Sequence, residues 1–196
     1  SQRDRVAEIA TTLGLLSGTP GKIARDITLL MQTEIGEVLE PASPGRGGSS
    51  TLPHKRNPVG TTAAAAAALR GPGLVPPMLA AMVQEHERAA GGWHAEWETL
   101  PDIFLLVDGA LANLTQVVQG LEVDTIRMRD NLDATKGLLL AEAVTTELAP
   151  HLCRMAAHRV VERACQRALA GHRHLRDVLA EQDETRAWLN DAVLAR

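Results

Sequence analysis

The chain has 196 residues with a formal net charge of −4, and alanine (30) and leucine (27) dominate its composition. Aromatic residues make up only 2%, so the residue types that strands favour are scarce and an all-β fold is excluded. Hydrophobic residues at 45% and charged residues at 22% exclude a disordered chain. The charge balance lacks the basic surplus of a nucleic-acid or anionic-membrane surface. The composition therefore predicts an all-α globular protein.

The first forty residues carry apolar side chains at the spacings of three and four that are typical of helices. A first helix over about residues 6–13 is expected to end in the stretch 14–18, which holds two glycines and a serine. Thr19-Pro20 has the pattern of an N-cap followed by proline at the first helical position. A second helix is therefore expected from there to Glu40.

The predicted helices further along the chain change in character near Gly120. A long helical segment over 59–90 is expected to break where glycine and proline cluster, and a helix over 102–119 has an apolar face wide enough to be buried on more than one side. The helices predicted after Gly120 are shorter and more charged, at about 134–149, 151–170, 172–181 and 183–195. We therefore place a domain boundary near residue 121, between a long-helix segment (1–120) and a helical C-terminal domain (121–196).

Residues 41–58 contain four prolines and three glycines, more than a helix interior tolerates, and are predicted to form a loop. Loops of this length are usually functional or disordered. Three consecutive hydroxyl residues, 49–51, are followed by a basic run, 54–56, and Asn57. Backbone N–H groups in such a glycine-rich turn can bind an anion, and a lysine adds a full positive charge. A solvated surface loop with incidental basic residues is the alternative, whereas the phosphate-loop pattern of ATPases is not matched.

Other features bear on cellular context and assembly. Cys153 and Cys165 lie in a predicted helix and are separated by roughly 18 Å, too far to bridge, so both are expected as reduced core residues of a cytoplasmic protein. No apolar run reaches the roughly 18–20 residues of a membrane span, and the N-terminus lacks the core of a signal peptide. Long helices with wide apolar faces favour association with identical subunits. Because the chain begins with Ser1 and not Met, we expect a piece of a longer protein.

A second cluster combines histidines and glutamates between residues 85 and 96. It contains neither a His-x-x-x-His pair nor a cysteine-bearing zinc pattern, so a salt-bridged structural segment is the favoured interpretation.

The stretch Gly48-Ser-Ser-Thr-Leu-Pro-His-Lys-Arg-Asn-Pro58 resembles the signature loop of the fumarase/aspartase superfamily, which is close to Gly-Ser-Ser-x-Met-Pro-x-Lys-x-Asn-Pro. Seven of eight fixed positions match, and Leu52 replaces methionine with similar volume and polarity. The resemblance implies an all-α fold, a long-helix bundle of this type with a smaller helical C-terminal domain.

The flanking stretches 84–88, 92–97 and 123–143 look like those of a cycloisomerase of this superfamily that converts a tricarboxylate diene into a lactone. Adenylosuccinate-type lyases are the alternative within the superfamily, but residues 95–98 offer no cationic side chain to a phosphate. A non-catalytic helical oligomerisation module is the alternative from a different class.

Specific roles follow from the resemblance alone. It implies that Ser49 exchanges the proton on the substrate carbon and that Lys55 and Asn57 hold the adjacent carboxylate. Thr51 and His94 are further candidate substrate contacts. It also implies a homotetramer with shared active sites, no metal or organic cofactor, and a chain that forms only the C-terminal half of the enzyme.

Overall fold

The structure, a computed structural model, describes residues 2–42, 45, 47–52, 55–86 and 89–189. The chain divides into two compact units, residues 1–124 and residues 125–196. The first unit contains α1 (Asp4–Leu30), β1 (Val38–Leu39), α2 (Val59–Arg70), α3 (Val75–Ala80), α4 (Gly92–Gln119) and β2 (Glu122–Val123). The second contains α5 (Thr125–Asp133), α6 (Ala141–Leu152), α7 (Arg154–Ala170), α8 (Leu175–Ala180) and α9 (Asp183–Arg186). Short 3-10 helices occupy Gly71–Leu74 and Leu138–Leu140. The predicted all-α class is confirmed, with one two-stranded ribbon added.

Helix α1 runs unbroken through the stretch in which two separate helices were predicted. Its buried positions follow one stripe of mostly small residues, at 7, 10, 14, 17, 20, 24 and 27. A Cβ atom added to Gly14 would lie 2.5 Å from Cγ2 of Val75 in α3, and one added to Gly21 would collide with the Cβ of Ala68 in α2, whereas one on Gly18 would meet nothing within 4 Å. Gly14 and Gly21 therefore permit close helix packing, and α1 continues through all three glycines, so the predicted break at 14–18 is wrong.

The second predicted helix is also too long, because α1 ends at Leu30 and not at Glu40. The backbone turns at Gly36, whose φ is +62°, and enters β1. Val38 pairs with Val123 in an antiparallel register between β1 and β2. This pairing joins residues 122–123 to the first unit and brings the start of the 41–58 loop next to the end of α4.

The segment after the loop is helical only as far as residue 80. The predicted helix 59–90 is resolved into α2, a 3-10 turn and α3, and the described residues of 81–90 are not helical. Pro76 and Pro77 lie in the first turn of α3, where a proline costs no hydrogen bond. Helix α4 begins at Gly92, ten residues before the predicted start, and contains Pro101.

Helix α4 has two apolar stripes, of which only one is covered. The first packs inside the unit and contains Ile103, Val107, Ala110, Leu114 and Val117. The second repeats every seven residues and stays exposed over 38% to 57% of each side chain, at Trp97, Phe104, Leu111 and Val118. We call these four residues the exposed stripe. By length and composition alone α4 is long and apolar enough to cross a membrane, although no membrane span was predicted from the sequence. A helix buried in a bundle has the same composition.

The second unit has its own core, centred on Leu148, which is fully buried. Helices α6, α7 and α8 begin three to seven residues after their predicted starts. The part of the predicted 183–195 helix beyond residue 189 lies outside the described residues. Cys153 is exposed at the junction of α6 and α7, so its prediction as a core residue is wrong. Cys165 is half-buried against the core, and this burial raises the pKa of its thiol.

Candidate functional site

Ser49 lies in a tight turn of the 41–58 loop. Its Oγ accepts hydrogen bonds from the backbone N–H groups of Thr51, at 3.3 Å, and of Leu52, at 3.1 Å. Two donors on one oxygen stabilise negative charge there. The turn therefore presents a half-buried serine oxygen in an electropositive backbone setting.

Lys55 and Asn57 are tied to the same turn by backbone hydrogen bonds. The Lys55 N–H donates to the carbonyl of Leu52 at 3.0 Å, and the Asn57 N–H donates to the carbonyl of Gly47 at 2.8 Å. The Asn57 side-chain amide also donates to the Gly48 carbonyl at 3.4 Å. The structure thus gathers residues 47–52 and 55–57 into one hydrogen-bonded turn. Pro53 and His54 of the signature lie outside the described residues.

Position 47, where the two halves of the loop come into backbone contact, requires glycine. Its φ is +73°, which L side chains rarely adopt, and an added Cβ would lie 3.1 Å from the Asn57 carbonyl oxygen. The first glycine of the loop's Gly-Gly-Ser-Ser run therefore lets the two halves of the loop touch.

The loop is anchored at its base by a buried acidic residue. Glu40 is 7% exposed, and its carboxylate accepts the backbone N–H groups of Gly60, at 2.9 Å, and Thr61, at 2.8 Å. The Thr61 hydroxyl also donates to Oε1 of Glu40 at 2.8 Å. These bonds satisfy the first turn of α2, which has Pro58 at its N-cap and no local capping side chain.

Arg56 forms the second anchor. Its guanidinium binds both carboxylate oxygens of Glu122, at 2.8 and 2.5 Å, and the backbone carbonyl of Glu40 at 2.6 Å. A fork-to-fork pair of this kind fixes orientation as well as distance. Arg56 therefore connects the end of the loop with β2 and with the residue that precedes the loop.

Lys55 supplies the charge of the site. Its side chain is exposed, and no hydrogen bond or ion pair joins it to another residue within the described part of the chain. The Thr51 hydroxyl, a candidate contact, is also on an exposed residue. A turn that combines a serine oxygen held by two amides with an exposed lysine and an asparagine amide carries the groups needed to bind a carboxylate and exchange a proton next to it.

His94 is not part of this turn. It lies in the first turn of α4, where its Nδ1 accepts the Gly91 N–H at 3.4 Å and its ring packs 4.7 Å from that of Trp97. The other end of α4 adjoins the loop, since a Cβ on Gly120 would lie 2.7 Å from the Cβ of Pro41. About 39 Å of helix separates His94 from that end. One copy of the chain therefore does not bring His94 to Ser49.

The His–Glu cluster contains one buried ion pair. Glu96, 4% exposed, pairs with Arg3 through both of its carboxylate oxygens, and the Arg3 Nε to Oε1 distance is 2.9 Å. Glu87 and Arg88 lie outside the described residues. Among the residues that are described, no three His, Cys, Asp or Glu side chains are arranged to hold a metal ion.

Glu40 and Glu122 were not predicted as part of the site, and Arg56 was predicted only as a member of the basic run 54–56. A signal for Glu40 was available: α2 begins after a proline, which cannot cap a helix, so an acceptor from elsewhere was needed. For Glu122, by contrast, no local pattern exists, because its partner lies 66 residues away in the chain.

The comparisons with known proteins agree with this fold and loop. A family model described as "Lyase" matches residues 1–73, and one described as "Adenylosuccinate lyase C-terminus" matches residues 137–196. A crystal structure of fumarate lyase from Mesorhizobium sp. BNC1 is 39% identical with a TM-score of 0.85, and the match covers all of this chain and 43% of that one. The chain therefore has the helical fold of the fumarase/aspartase superfamily, as the signature loop predicts.

Within that superfamily the chain is similar to one particular enzyme. The 3-carboxy-cis,cis-muconate cycloisomerase of Pseudomonas putida is 58% identical over 190 residues, which are 97% of this chain and 45% of that enzyme. A crystal structure of the Pseudomonas putida 3-carboxy-cis,cis-muconate lactonizing enzyme is 57% identical with a TM-score of 0.89, covering all of this chain and 44% of that one. The predicted resemblance to a lactone-forming cycloisomerase is thus confirmed. The chain spans about half the length of the curated relatives it matches.

Proposed function

We propose that the protein containing this chain converts 3-carboxy-cis,cis-muconate into a carboxymuconolactone, a step of aromatic-acid catabolism, and that the chain supplies the signature-loop part of the active site. The observation that carries the proposal is the pair of backbone N–H groups aimed at Ser49 Oγ. The similarity to cycloisomerases over nearly the whole chain supports the choice of substrate.

Ser49 is the proton-transfer residue of the proposed mechanism. In the lactone-forming direction, one substrate carboxylate adds across a double bond of the same molecule, and the Ser49 hydroxyl protonates the neighbouring carbon. The charge left on Oγ is stabilised by the N–H groups of Thr51 and Leu52. In the reverse direction the same oxygen removes the proton. Because both reacting groups belong to one substrate, the enzyme mainly selects a reactive conformer.

Lys55 and Asn57 hold the carboxylate next to the protonated carbon, where enolate-like charge develops. The exposed side chain of Lys55 can move its ammonium towards this charge, while the amide of Asn57 is fixed by its hydrogen bond to the Gly48 carbonyl. Thr51 adds a weaker hydroxyl contact. The reaction moves one proton and forms one C–O bond without a change in overall oxidation state, so it needs no redox cofactor, and the proposed mechanism has no step on a metal.

The complete active site is shared between copies of the protein. The exposed stripe of α4 is apolar, repeats every seven residues and begins at Trp97, beside His94. A second copy packed antiparallel on this stripe would carry His94 towards the loop end of its neighbour, which a single chain does not. The resemblance to the superfamily, and not this stripe, implies a homotetramer, and the two free cysteines favour a soluble, cytoplasmic protein. We take residues 1–120 as its bundle segment and residues 121–196 as its C-terminal domain, with residues 122–123 paired to β1 of the first unit.

Substitution of Ser49 tests the proposal. In the complete protein, Ser49→Ala should lower kcat by about 100-fold or more, since general acid–base catalysis contributes about 10²–10⁴. Ser50→Ala, at the exposed neighbouring hydroxyl, is the matched control and should stay within about threefold of wild type. The assay follows the loss of the diene absorbance of 3-carboxy-cis,cis-muconate. Retained turnover in Ser49→Ala would remove the serine from the mechanism.

The same preparations separate the other candidate functions. An adenylosuccinate-type lyase would cleave adenylosuccinate, which should be neither bound nor consumed. A non-catalytic oligomerisation module would tolerate Lys55→Ala and Asn57→Ala without any change in ligand binding. Turnover of the muconate that collapses in both variants would exclude the module.

A further inference from the structure

Glu40 contacts the segment that carries Lys55 and Asn57 and also the helix that follows it. Its backbone carbonyl accepts a hydrogen bond from Arg56, the middle residue of the segment, at 2.6 Å. Its carboxylate accepts the N–H groups of Gly60 and Thr61 in α2. A single residue before the loop therefore connects the segment 55–57 with the first turn of α2.

The Glu40 carboxylate uses three of its roughly four acceptor positions in this contact. Its two oxygens receive three donors, one from Gly60 and two from Thr61, at 2.8 to 2.9 Å. The Thr61 hydroxyl in turn lies 3.0 Å from that of Thr28 in α1, which donates to it. The contact thus fixes the start of α2 to the base of the loop and to a neighbouring long helix.

These bonds reach Ser49 through Asn57. Asn57 immediately precedes Pro58 and α2, so a shift of the first turn of α2 moves Asn57. Asn57 is in turn bonded to Gly47 and Gly48, which immediately precede Ser49. A misplacement of about 1 Å in a catalytic group can cost about 100-fold in rate.

We propose that Glu40 is a positioning residue, which sets Lys55 and Asn57 against Ser49 by capping α2 and holding Arg56. The inference rests on the proposed function of the loop. It differs from a purely structural role in one measurable respect: loss of the carboxylate lowers turnover of protein that is still fully folded.

The test is Glu40→Gln in the complete protein. Glutamine keeps the size and one acceptor oxygen, but its NH₂ group meets the N–H of Gly60 donor to donor. We expect kcat to fall at least tenfold and KM to change less than threefold, because proton transfer demands tighter geometry than carboxylate binding. Leu148→Ala, which creates a cavity in the separate core of the second unit, is the control with lowered stability. Measured well below both melting temperatures, that variant should keep wild-type kcat.

A kcat within twofold of wild type in folded Glu40→Gln would overturn the inference and leave the proposed function intact. If Glu40→Gln does not fold, Arg56→Lys provides the test, since it keeps the charge and loses the two-pronged bond to Glu122. It should show the same fall in kcat, and an unchanged kcat would again overturn the inference.

Failure of the wild-type protein to turn over the muconate would instead overturn the proposed function. Hydrogen exchange then decides the inference, because it needs no substrate. The amides of Gly60, Thr61 and Asn57 should exchange at least tenfold faster in Glu40→Gln than in wild type. Unchanged exchange at all three would show that Glu40 does not position the segment.

Discussion

Ser49 and Lys55 differ in how firmly the chain holds the atoms that we propose take part in the reaction. The Ser49 oxygen is fixed by two amides of its own turn, whereas the Lys55 ammonium is exposed at the end of a flexible side chain. The first arrangement is preorganised for a charge that develops at one place, and the second provides a charge that can move to a bound anion.

Replacing the ammonium should therefore weaken substrate recognition. Lys55→Met keeps the length of the side chain and removes the charge, and we expect kcat/KM to fall about 10- to 100-fold, the value of one hydrogen bond to a charged group. Lys22→Met removes an exposed lysine that pairs with Asp26 on α1 and should change kcat/KM less than twofold. Equal effects of the two substitutions, measured by steady-state kinetics on the complete protein, would contradict a specific role for Lys55.

A second prediction concerns an ion pair of the C-terminal unit. The hydrogen bonds from Arg173 to Glu181, at 2.9 and 2.5 Å, hold the pKa of the Glu181 carboxyl below its ordinary value, helped by the charges of Arg173 and Arg167. Because the pKa is lowered on folding, the pair stabilises the protein above the ordinary glutamate pKa. That stabilisation is lost as pH falls through the lowered value.

Arg173→Met should therefore raise the pKa of Glu181 towards its ordinary value. An NMR titration of the side-chain carboxyl carbon measures this directly, and Arg176→Met, whose nearest acidic partner is Asp177, is the matched control. A midpoint that stays the same in Arg173→Met would show that the pair does not form in solution.

At the scale of elements, helix α1 illustrates how packing overrides local sequence preference. Glycine and proline usually end helices, yet Gly14, Pro20 and Gly21 lie inside a helix of 27 residues. Gly14 and Gly21 lie where side chains of α3 and α2 come so close that an added Cβ atom would collide with them. Close contact with α2 and α3 compensates for the poor helix propensity of these residues.

Two glycines of α1 make a matched pair for testing this. Gly21→Ala would drive a Cβ into that of Ala68 and should destabilise the protein by about 1–3 kcal/mol. Gly18→Ala meets nothing within 4 Å and should stabilise it by up to about 1 kcal/mol through helix propensity alone. Urea unfolding followed by circular dichroism gives both values. Stabilisation by both substitutions would mean that α1 and α2 are further apart in solution than in this structure.

At the scale of the whole molecule, the exposed stripe of α4 is an apolar surface that a single chain leaves uncovered. The sequence predicts that this helix is buried on more than one side, but a single chain buries only one of its two apolar stripes. Four large apolar side chains in a seven-residue repeat are typical of helices that pack against other helices.

A charge in this stripe should prevent association. In the complete protein, Phe104→Glu is expected to yield particles of smaller mass than wild type by analytical ultracentrifugation, because a carboxylate in an apolar interface is costly. Phe104→Leu keeps the apolar character and should preserve the mass. An unchanged mass in Phe104→Glu would place the contact between copies elsewhere.

Local chemistry made part of the site predictable. Glycine, hydroxyl and basic residues at fixed spacing located the loop, and the turn around Ser49 is built from bonds that span only two or three residues. His94 lies about 39 Å along α4 from the end that adjoins the loop. This separation was not predictable, because it depends on which end of α4 the folded chain brings to the loop.

The sequence by itself determined the helical class, the resemblance to the superfamily and the position of the signature loop, since composition, periodicity and a short motif act within a few residues of one another. Tertiary structure decided that α1 continues through Gly14 and Pro20, that residues 38–39 pair with residues 122–123, and that Glu40 caps α2. Each of these depends on partners 20 or more residues away in the chain. Only the packing of the folded chain brings such partners together, so no local pattern reveals them.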